Sequence, residues 1–138
     1  MTGYVMAKKL GLGHVACGLI ALAFGGTAMA QTSLGMLETL KSGAWELRYR
    51  DGTPPRRLCL KSGRELIRLR HPRGNCNRFV VEDNRNSVTV QYTCRGDGYG
   101  RTAIRREANG LVQIESQGIK GGRPFQFSAE ARRLGRCN

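Results

Sequence analysis

The feature that most constrains this chain is an alternation of apolar and polar residues, which first appears in residues 42–50. Successive side chains of a strand point to opposite faces, so this period of two predicts a strand with one buried face. The only tryptophan in the chain lies here, and an indole brings a large apolar area to a small core. We therefore expect Trp45 to anchor the core. The alternating residues are Trp45, Leu47 and Tyr49 against Glu46, Arg48 and Arg50.

The same pattern recurs to the end of the chain and predicts about seven strands joined by short turns. Asn109-Gly110 is the strongest hairpin signal among these turns. Gly-rich residues 96–100 are predicted as a turn and residues 118–123 as a loop. The predicted strands are residues 42–50, Arg56–Leu60, Asn77–Glu82, Ser87–Cys94, Arg101–Ala108, Leu111–Gln117 and Phe125–Arg132.

Two short helices are predicted between these strands. Ser33 can cap a helix over residues 34–40, with Gly43 as the stop. Ser62 and Glu65 form the Ser-x-x-Glu capping box of a second helix that runs to about residue 69. Its spacing predicts an inward side of Leu66, Ile67 and Leu69 and an outward side of Arg64 and Arg68. The predicted fold is mainly β: a single domain with a strongly curved antiparallel meander, or a small barrel-like sheet, of about seven strands with one or two short helices.

The first 30 residues have the layout of a secretory signal peptide. Lys8 and Lys9 form a positive flank, residues 10–24 an apolar run, and Ala28-Met29-Ala30 a cleavage site of the small-x-small type. The apolar run is too short to span a bilayer, and the residues before Cys17 lack the pattern of a lipoprotein site. We predict that residues 1–30 are removed and that residues 31–138 form a disulfide-stapled β domain, periplasmic or secreted.

Four cysteines remain in the predicted domain. This number in a small exported domain predicts two disulfides, for which three pairings are open. No two cysteines are spaced as Cys-x-x-Cys, so neither a redox motif nor a zinc site is indicated. We favour bonds between neighbours along the chain, namely Cys59–Cys76 and Cys94–Cys137.

The predicted domain is strongly basic. Removing Lys8 and Lys9 from the 23 basic residues leaves 21 against 10 acidic ones, a net charge of +11. Residues 56–78 hold eight basic residues and one acid, Glu65. Arginine pairs with phosphate and carboxylate in bidentate geometry, which favours an anion-binding face. The alternatives are a solvated, self-repelling face and an arginine bias that reflects a GC-rich genome. The predicted contacts are Arg64, Arg68, Arg70 and Arg73.

No catalytic constellation is found in the predicted domain. His71 is its only histidine, and Pro72 places this residue in a loop, where we expect the ring to be solvated. Residues 96–100 join two strands and open no helix, so they do not resemble a nucleotide phosphate loop. No nucleophile is accompanied by a base. We expect no enzymatic activity, no cofactor and no metal.

Several short motifs occur in a characteristic order: Leu40-Lys41-Ser42-Gly43-Ala44-Trp45-Glu46, Leu58-Cys59-Leu60, Cys76, Tyr92-Thr93-Cys94 and Leu134-Gly135-Arg136-Cys137. They resemble a family of small exported bacterial proteins, the domain of unknown function numbered thirty-six seventeen. Its members share a leader, an early Gly-x-Trp-Glu strand and four cysteines, and many have proline where Ser42 stands. The family has no assigned activity, so the resemblance implies no binding residue. The Gly-x-Trp strand is also similar to the first strand of lipocalin-like barrels.

Together these patterns favour a non-enzymatic envelope protein that binds an anionic partner. The candidates are lipopolysaccharide phosphate, an anionic lipid headgroup at a membrane surface and an acidic envelope protein. We expect a monomer, and no nucleic acid in vivo, because stacking aromatic residues do not interleave the charges. The alternative is a carrier that holds a small apolar ligand in a lipocalin-like cavity of a few hundred cubic ångströms.

Overall fold

The computed structural model describes Gly3 and residues 34–138. The predicted signal peptide, apart from Gly3, and Ser33 lie outside the described residues. The described chain has a short helix α1 (Gly35–Glu38) and a 3₁₀ helix of residues Gly63–Arg68. Its strands are β1 (Gly43–Tyr49), β2 (Arg56–Leu60), β3 (Cys76–Asp83), β4 (Ser87–Cys94), β5 (Gly98–Ala108), β6 (Leu111–Lys120) and β7 (Arg123–Gly135).

All of these strands pair antiparallel in one seven-stranded sheet with the order β2-β1-β7-β6-β5-β4-β3. Strands β3 to β7 form a meander, and β1 lies between β2 and β7. The predicted mainly β fold, a strongly curved antiparallel sheet with two short helices, is confirmed. The sheet is not closed, because β2 and β3 are its two edges and each pairs on one side only.

Strands β5 and β6 extend further than the sequence predicts. The predicted turn at residues 96–100 becomes strand from Gly98 onward, and β6 continues to Lys120 through the predicted loop. Gly100 pairs with Gly118 at this point. A Cβ at Gly100 would overlap the Tyr92 ring, so glycine is needed there for close packing rather than for a turn.

The inner face of the sheet and the two helices share one buried hydrophobic cluster. The 3₁₀ helix contacts β5 and α1 contacts β4. The predicted burial of Trp45 is confirmed: its side chain is 0% exposed, and Nε1 donates a hydrogen bond to the Lys41 carbonyl at 3.0 Å. This bond satisfies the one polar atom of the indole, which would be costly to bury without a partner.

Helix α1 is shorter than predicted. Leu34 occupies the position before the helix in a left-handed conformation, with φ of 53°, and its side chain offers no cap. The Leu34 amide donates to Asp83 Oδ2 at 3.2 Å, which ties the start of α1 to the end of β3. At the other end, Thr39 Oγ1 donates to the Met36 carbonyl at 2.6 Å. A four-residue helix therefore stands where the sequence predicts a helix over residues 34–40.

The expectation that His71 is solvated is wrong. Its ring is 0% exposed, with Nδ1 3.1 Å from Tyr92 Oη and Nε2 3.3 Å from the Asp97 carbonyl oxygen. In the neutral ring, Nε2–H donates to this carbonyl and Nδ1 accepts from the Tyr92 hydroxyl. Burial raises the pKa of Tyr92, which the nearby Arg68 only partly offsets, so the hydroxyl keeps its proton. Both ring nitrogens have partners, and the imidazole can therefore be buried at low cost.

Both disulfides form, but the predicted pairing is wrong: the bonds are Cys59–Cys137 and Cys76–Cys94. Cys76 lies directly opposite Cys94 in the β3–β4 ladder. Cys59 pairs with Ala44 of β1, whose other neighbour is Gly135 of β7, so the chain just beyond β7 reaches Cys59. Neighbours in the sheet, rather than neighbours along the chain, determine the bonds.

Candidate functional site

A cleft of about 550 Å³ lies where β2, the 3₁₀ helix and the start of β3 meet. The apolar side chains in its lining, Leu58, Ile67 and Leu69, are buried or half-buried. Four arginines also line it, and we call it the arginine cleft. They are Arg56 of β2, Arg64 and Arg68 of the 3₁₀ helix and Arg78 of β3.

The 3₁₀ helix provides the central part of this cleft. Its predicted capping box is present: the Ser62 side chain accepts a hydrogen bond from the Arg64 amide, and Glu65 bonds back to the Ser62 amide. Leu66 and Ile67 of this helix are buried. The predicted amphipathic pattern is thus confirmed, and Arg64 is left on the cleft side.

The structure brings together only two of the four predicted anion contacts. Arg64 and Arg68 line the arginine cleft, whereas Arg70 and Arg73 do not. The guanidinium carbon of Arg70 lies 5.3 Å from the centre of the Phe127 ring, which is cation–π geometry. Arg73 is exposed outside the cleft lining.

Arg56 and Arg78 complete the arginine cleft, and the sequence prediction missed them. Both belong to the basic segment of residues 56–78, so composition contained a signal for them. Only the positions of β2 and β3 at the two sheet edges select them from that segment. The prediction instead named Arg64 and Arg68 of the predicted helix and Arg70 and Arg73 just after it.

The positive charge of the arginine cleft is only partly balanced. Arg64 forms an ion pair with Glu38 at 2.5 Å, and Arg68 donates to the Gly74 carbonyl at 3.2 Å. Arg56 and Arg78 form no ion pair within the described residues. The guanidinium groups of Arg56 on β2 and Arg78 on β3 can therefore bind an external anion without first breaking an ion pair.

Glu65 is the only acid that lines the arginine cleft, and its carboxylate is occupied. It accepts hydrogen bonds from the Lys61 amide at 2.8 Å and from the Ser62 amide and hydroxyl at 3.1 and 3.0 Å. Burial alone would raise the pKa of Glu65, but these bonds and that of its own amide outweigh it, so the pKa lies below its usual value. The carboxylate stays ionised and stabilises the helix that carries Arg64 and Arg68.

We expect Glu65→Ala to lower the free energy of unfolding by about 1 kcal/mol at neutral pH, the usual effect of losing a helix cap. A group with a lowered folded-state pKa stabilises the fold above its unfolded pKa, about 4.3 for Glu. That contribution is lost as pH falls through the folded-state pKa. Urea unfolding of both proteins at pH 7 and near pH 3 measures the difference.

Glu65→Gln is the matched control, because glutamine keeps one acceptor oxygen for the amide bonds and loses the charge and the second acceptor. It should retain part of the stability lost in Glu65→Ala. A difference between wild type and Glu65→Ala that is as large at low pH as at pH 7 would contradict the assigned role of the ionised carboxylate.

The arrangement suits recognition of an anion. Four planar guanidinium groups on three elements offer forked donors that match phosphate or carboxylate oxygens. The side chains of Cys59 and Cys76 in the cleft lining are both disulfide-bonded. Among the described residues there is no group of three or more His, Cys, Asp or Glu side chains placed to hold a metal.

The interior of the sheet does not favour the carrier alternative. Trp45, Tyr92 and Phe127 are each at most 4% exposed and belong to the same buried cluster as the helix side chains. The His71 ring occupies part of the same interior, 5.3 Å from the Tyr92 ring centre. These side chains thus occupy the interior that an apolar ligand would need. The carrier function stays a prediction.

Comparisons of the chain with protein-family models, with curated proteins and with solved structures find no match. The resemblance to the domain of unknown function therefore stays a prediction. No helix of the described part is long and apolar enough to cross a bilayer. The function has to be inferred from the arginine cleft itself.

Proposed function

We propose that this is an exported, non-enzymatic envelope protein whose arginine cleft binds the phosphate or carboxylate group of an anionic partner. The observation that carries the proposal is the convergence of Arg56, Arg64, Arg68 and Arg78 on one cleft, while its single acid, Glu65, is held by the backbone. The guanidinium groups of Arg56 and Arg78, which form no ion pair within the described residues, favour an anionic ligand at this concave site, because charge-assisted hydrogen bonds are stronger than neutral ones.

The size of the cleft fits a headgroup rather than a single ion. Its volume of about 550 Å³ lies within the range of small-molecule sites, roughly 300–1,000 Å³. Leu58, Ile67 and Leu69 provide apolar surface beneath the charges. Such a lining suits a group with a charged head and an apolar or sugar-like body.

Export to the periplasm or beyond supports the same proposal. Two disulfides are typical of domains that fold in an oxidising compartment. The leader predicted for residues 1–30 agrees with this location. Lipopolysaccharide phosphate, anionic lipid headgroups and acidic protein segments are the anions of that compartment. A monomer that contacts the membrane surface only peripherally would satisfy this role.

The test is binding of the double variant Arg56→Gln/Arg78→Gln beside a charge-matched control, Arg85→Gln/Arg123→Gln. Both remove two positive charges, but the control residues lie outside the cleft lining. A hydrogen bond to a charged group contributes roughly 1.5–3 kcal/mol. We therefore expect the cleft variant to bind at least about tenfold more weakly than the control, which should stay near wild type.

Three probes distinguish the sources of the anion: lipopolysaccharide micelles, phosphatidylglycerol vesicles and a polyglutamate peptide. Binding should weaken between about 0.1 M and about 1 M salt, as the screening length falls from roughly 10 to roughly 3 Å. Equal affinities of the two double variants for every probe would overturn the assignment to the cleft. Absence of binding to all three at low salt would overturn anion binding itself.

A further inference from the structure

A row of polar side chains crosses the solvent face of the sheet, away from the arginine cleft. Gln91 of β4 pairs with Arg101 of β5, Arg101 with Gln117 of β6, and Gln117 with Gln126 of β7. Residues directly opposite each other on neighbouring strands share a face, so these four side chains stand next to one another. All four are exposed, and each has at least one buried neighbour along its own strand. We call them the polar row.

The polar row differs from the rest of this face because its members have no partners. Within the described residues, none of the four side chains makes a hydrogen bond or an ion pair to another residue. Two levels further along the strands, Gln113 bonds to both Arg50 and Glu130. Each carboxamide of the row therefore has two N–H donors and one acceptor available, and Arg101 has its full set of donors.

A groove of about 600 Å³ lies over the polar row. Its lining includes Tyr99 and Pro124 besides the four row residues, and Tyr99 is 49% exposed. Phe79, which lies opposite Gln91 on β3, is 70% exposed and continues the row at the sheet edge. Tyr99 in the groove and Phe79 at the sheet edge give the row an exposed aromatic ring at two positions, and exposed apolar surface rimmed by polar groups is typical of ligand-binding grooves.

Unpaired amides beside exposed aromatic rings match the chemistry of a saccharide. Sugar hydroxyls exchange hydrogen bonds with carboxamides, and the C–H groups on one face of a pyranose ring pack against an aromatic ring. Neighbouring strands lie about 4.8 Å apart, so the row spans about 14 Å in three steps. One step is comparable with the length of one sugar residue, and an oligosaccharide laid across the strands would meet one row residue per sugar.

The positive charge of Arg101 favours a saccharide that carries a carboxylate. It lies in the middle of the row between Gln91 and Gln117, and no acidic side chain within the described residues is paired with it. Glu115 does not line the groove over the polar row; it lines a neighbouring smaller groove of about 280 Å³, to which Arg101, Gln117 and Gln126 also contribute. A carboxylate on the ligand would complement the unpaired guanidinium and stay on the Gln91 side of Glu115.

We infer that the polar row is a binding site for an extended acidic oligosaccharide, which lies across β4 to β7. The three amides bond its hydroxyls, Arg101 binds a uronate carboxylate, and Tyr99 packs against a sugar ring. This site shares no residue with the arginine cleft, so it stands or falls independently of the proposed function.

The test is calorimetric titration of the oxidised, mature chain with tetragalacturonate and with the neutral tetramer cellotetraose. We expect tetragalacturonate to bind wild type at least tenfold more tightly than cellotetraose. The double variant Gln91→Ala/Gln117→Ala should bind tetragalacturonate at least tenfold more weakly than wild type does. Arg101→Gln should reduce the affinity for tetragalacturonate to that for cellotetraose. The charge-matched control Arg85→Gln, in the turn between β3 and β4, should bind tetragalacturonate as tightly as wild type does.

Because the substituted side chains are exposed, the melting temperature of each variant should match wild type, which separates loss of binding from loss of fold. No binding of either tetramer to wild type would overturn the inference. Equal loss in Arg101→Gln and Arg85→Gln would also overturn it, since binding would then follow net charge rather than the row. Equal affinity for the two tetramers would overturn the role given to Arg101.

Discussion

The double variant Cys59→Ser/Cys137→Ser is expected to lose about 4.5 kcal/mol of stability, the value that the chain-entropy treatment assigns to so long a loop. The bond joins residues 78 positions apart, so its removal frees most of the domain in the unfolded state. A domain of this size has a net stability of only about 5–15 kcal/mol. The variant should be close to unfolding at 37 °C.

Cys76→Ser/Cys94→Ser is the matched comparison. Its bond spans 18 positions and is expected to contribute about 3 kcal/mol by the same treatment. This bond also holds the edge strand β3, most of whose residues are exposed and add little to the core. Its loss should therefore open β3 locally and speed amide hydrogen exchange there.

Urea unfolding followed by circular dichroism measures both losses, after peptide mapping has verified the bonds in the oxidised protein. The two variants should unfold at clearly different urea concentrations, and the midpoint of Cys59→Ser/Cys137→Ser should be the lower of the two. A larger loss in Cys76→Ser/Cys94→Ser would contradict the entropic ranking. A map that shows Cys59 bonded to Cys76 would contradict the structure itself.

The second large effect is expected from Trp45→Ala, which should lose about 4 kcal/mol, in the range measured for large aromatic side chains in cores. Trp45 is fully buried in the strand between β2 and β7, so the cavity left by its indole could not be filled from the surface. The Lys41 carbonyl would also lose the hydrogen bond from Nε1.

Trp45→Phe is the control, because it keeps an aromatic ring and loses mainly the hydrogen bond, with an expected cost of about 1–2 kcal/mol. Circular dichroism is the appropriate probe, since the chain has no other tryptophan to report by fluorescence. If Trp45→Ala costs no more than Trp45→Phe, the indole is not the anchor of the core.

The strands were the most predictable part of the fold, because their pattern is local. The predicted bounds of Arg56–Leu60 and Ser87–Cys94 coincide with β2 and β4. Each has a period of two that can be recognised without knowing its neighbours. The capping box of Ser62 and Glu65 was equally local and is present. In contrast, Gly100 of β5 and Gly118 of β6 were assigned to a turn and a loop. Gly100 packs closely against Tyr92 and Gly118 against the backbone of Tyr99, and both contacts involve another strand.

The candidate site was only half predictable. Composition identified the basic segment, and helical spacing pointed to Arg64 and Arg68. Arg56 and Arg78 required the knowledge that β2 and β3 are the edges of one sheet. The burial of His71 likewise depended on Tyr92 and Asp97, which lie more than twenty residues away.

The sequence by itself determined the number and approximate position of the strands, the basic character and the number of disulfides, since each follows from residue type and short-range spacing. The tertiary structure alone decided the disulfide partners, the arginines that meet in the cleft and the alignment of the polar row. These features depend on which strands pair and in what register. Closing a long loop costs only slightly more entropy than closing a short one, so proximity along the chain could not identify the partners. The β1–β7 pairing brings Cys137 to Cys59, and the ladders from β4 to β7 align Gln91 with Gln126.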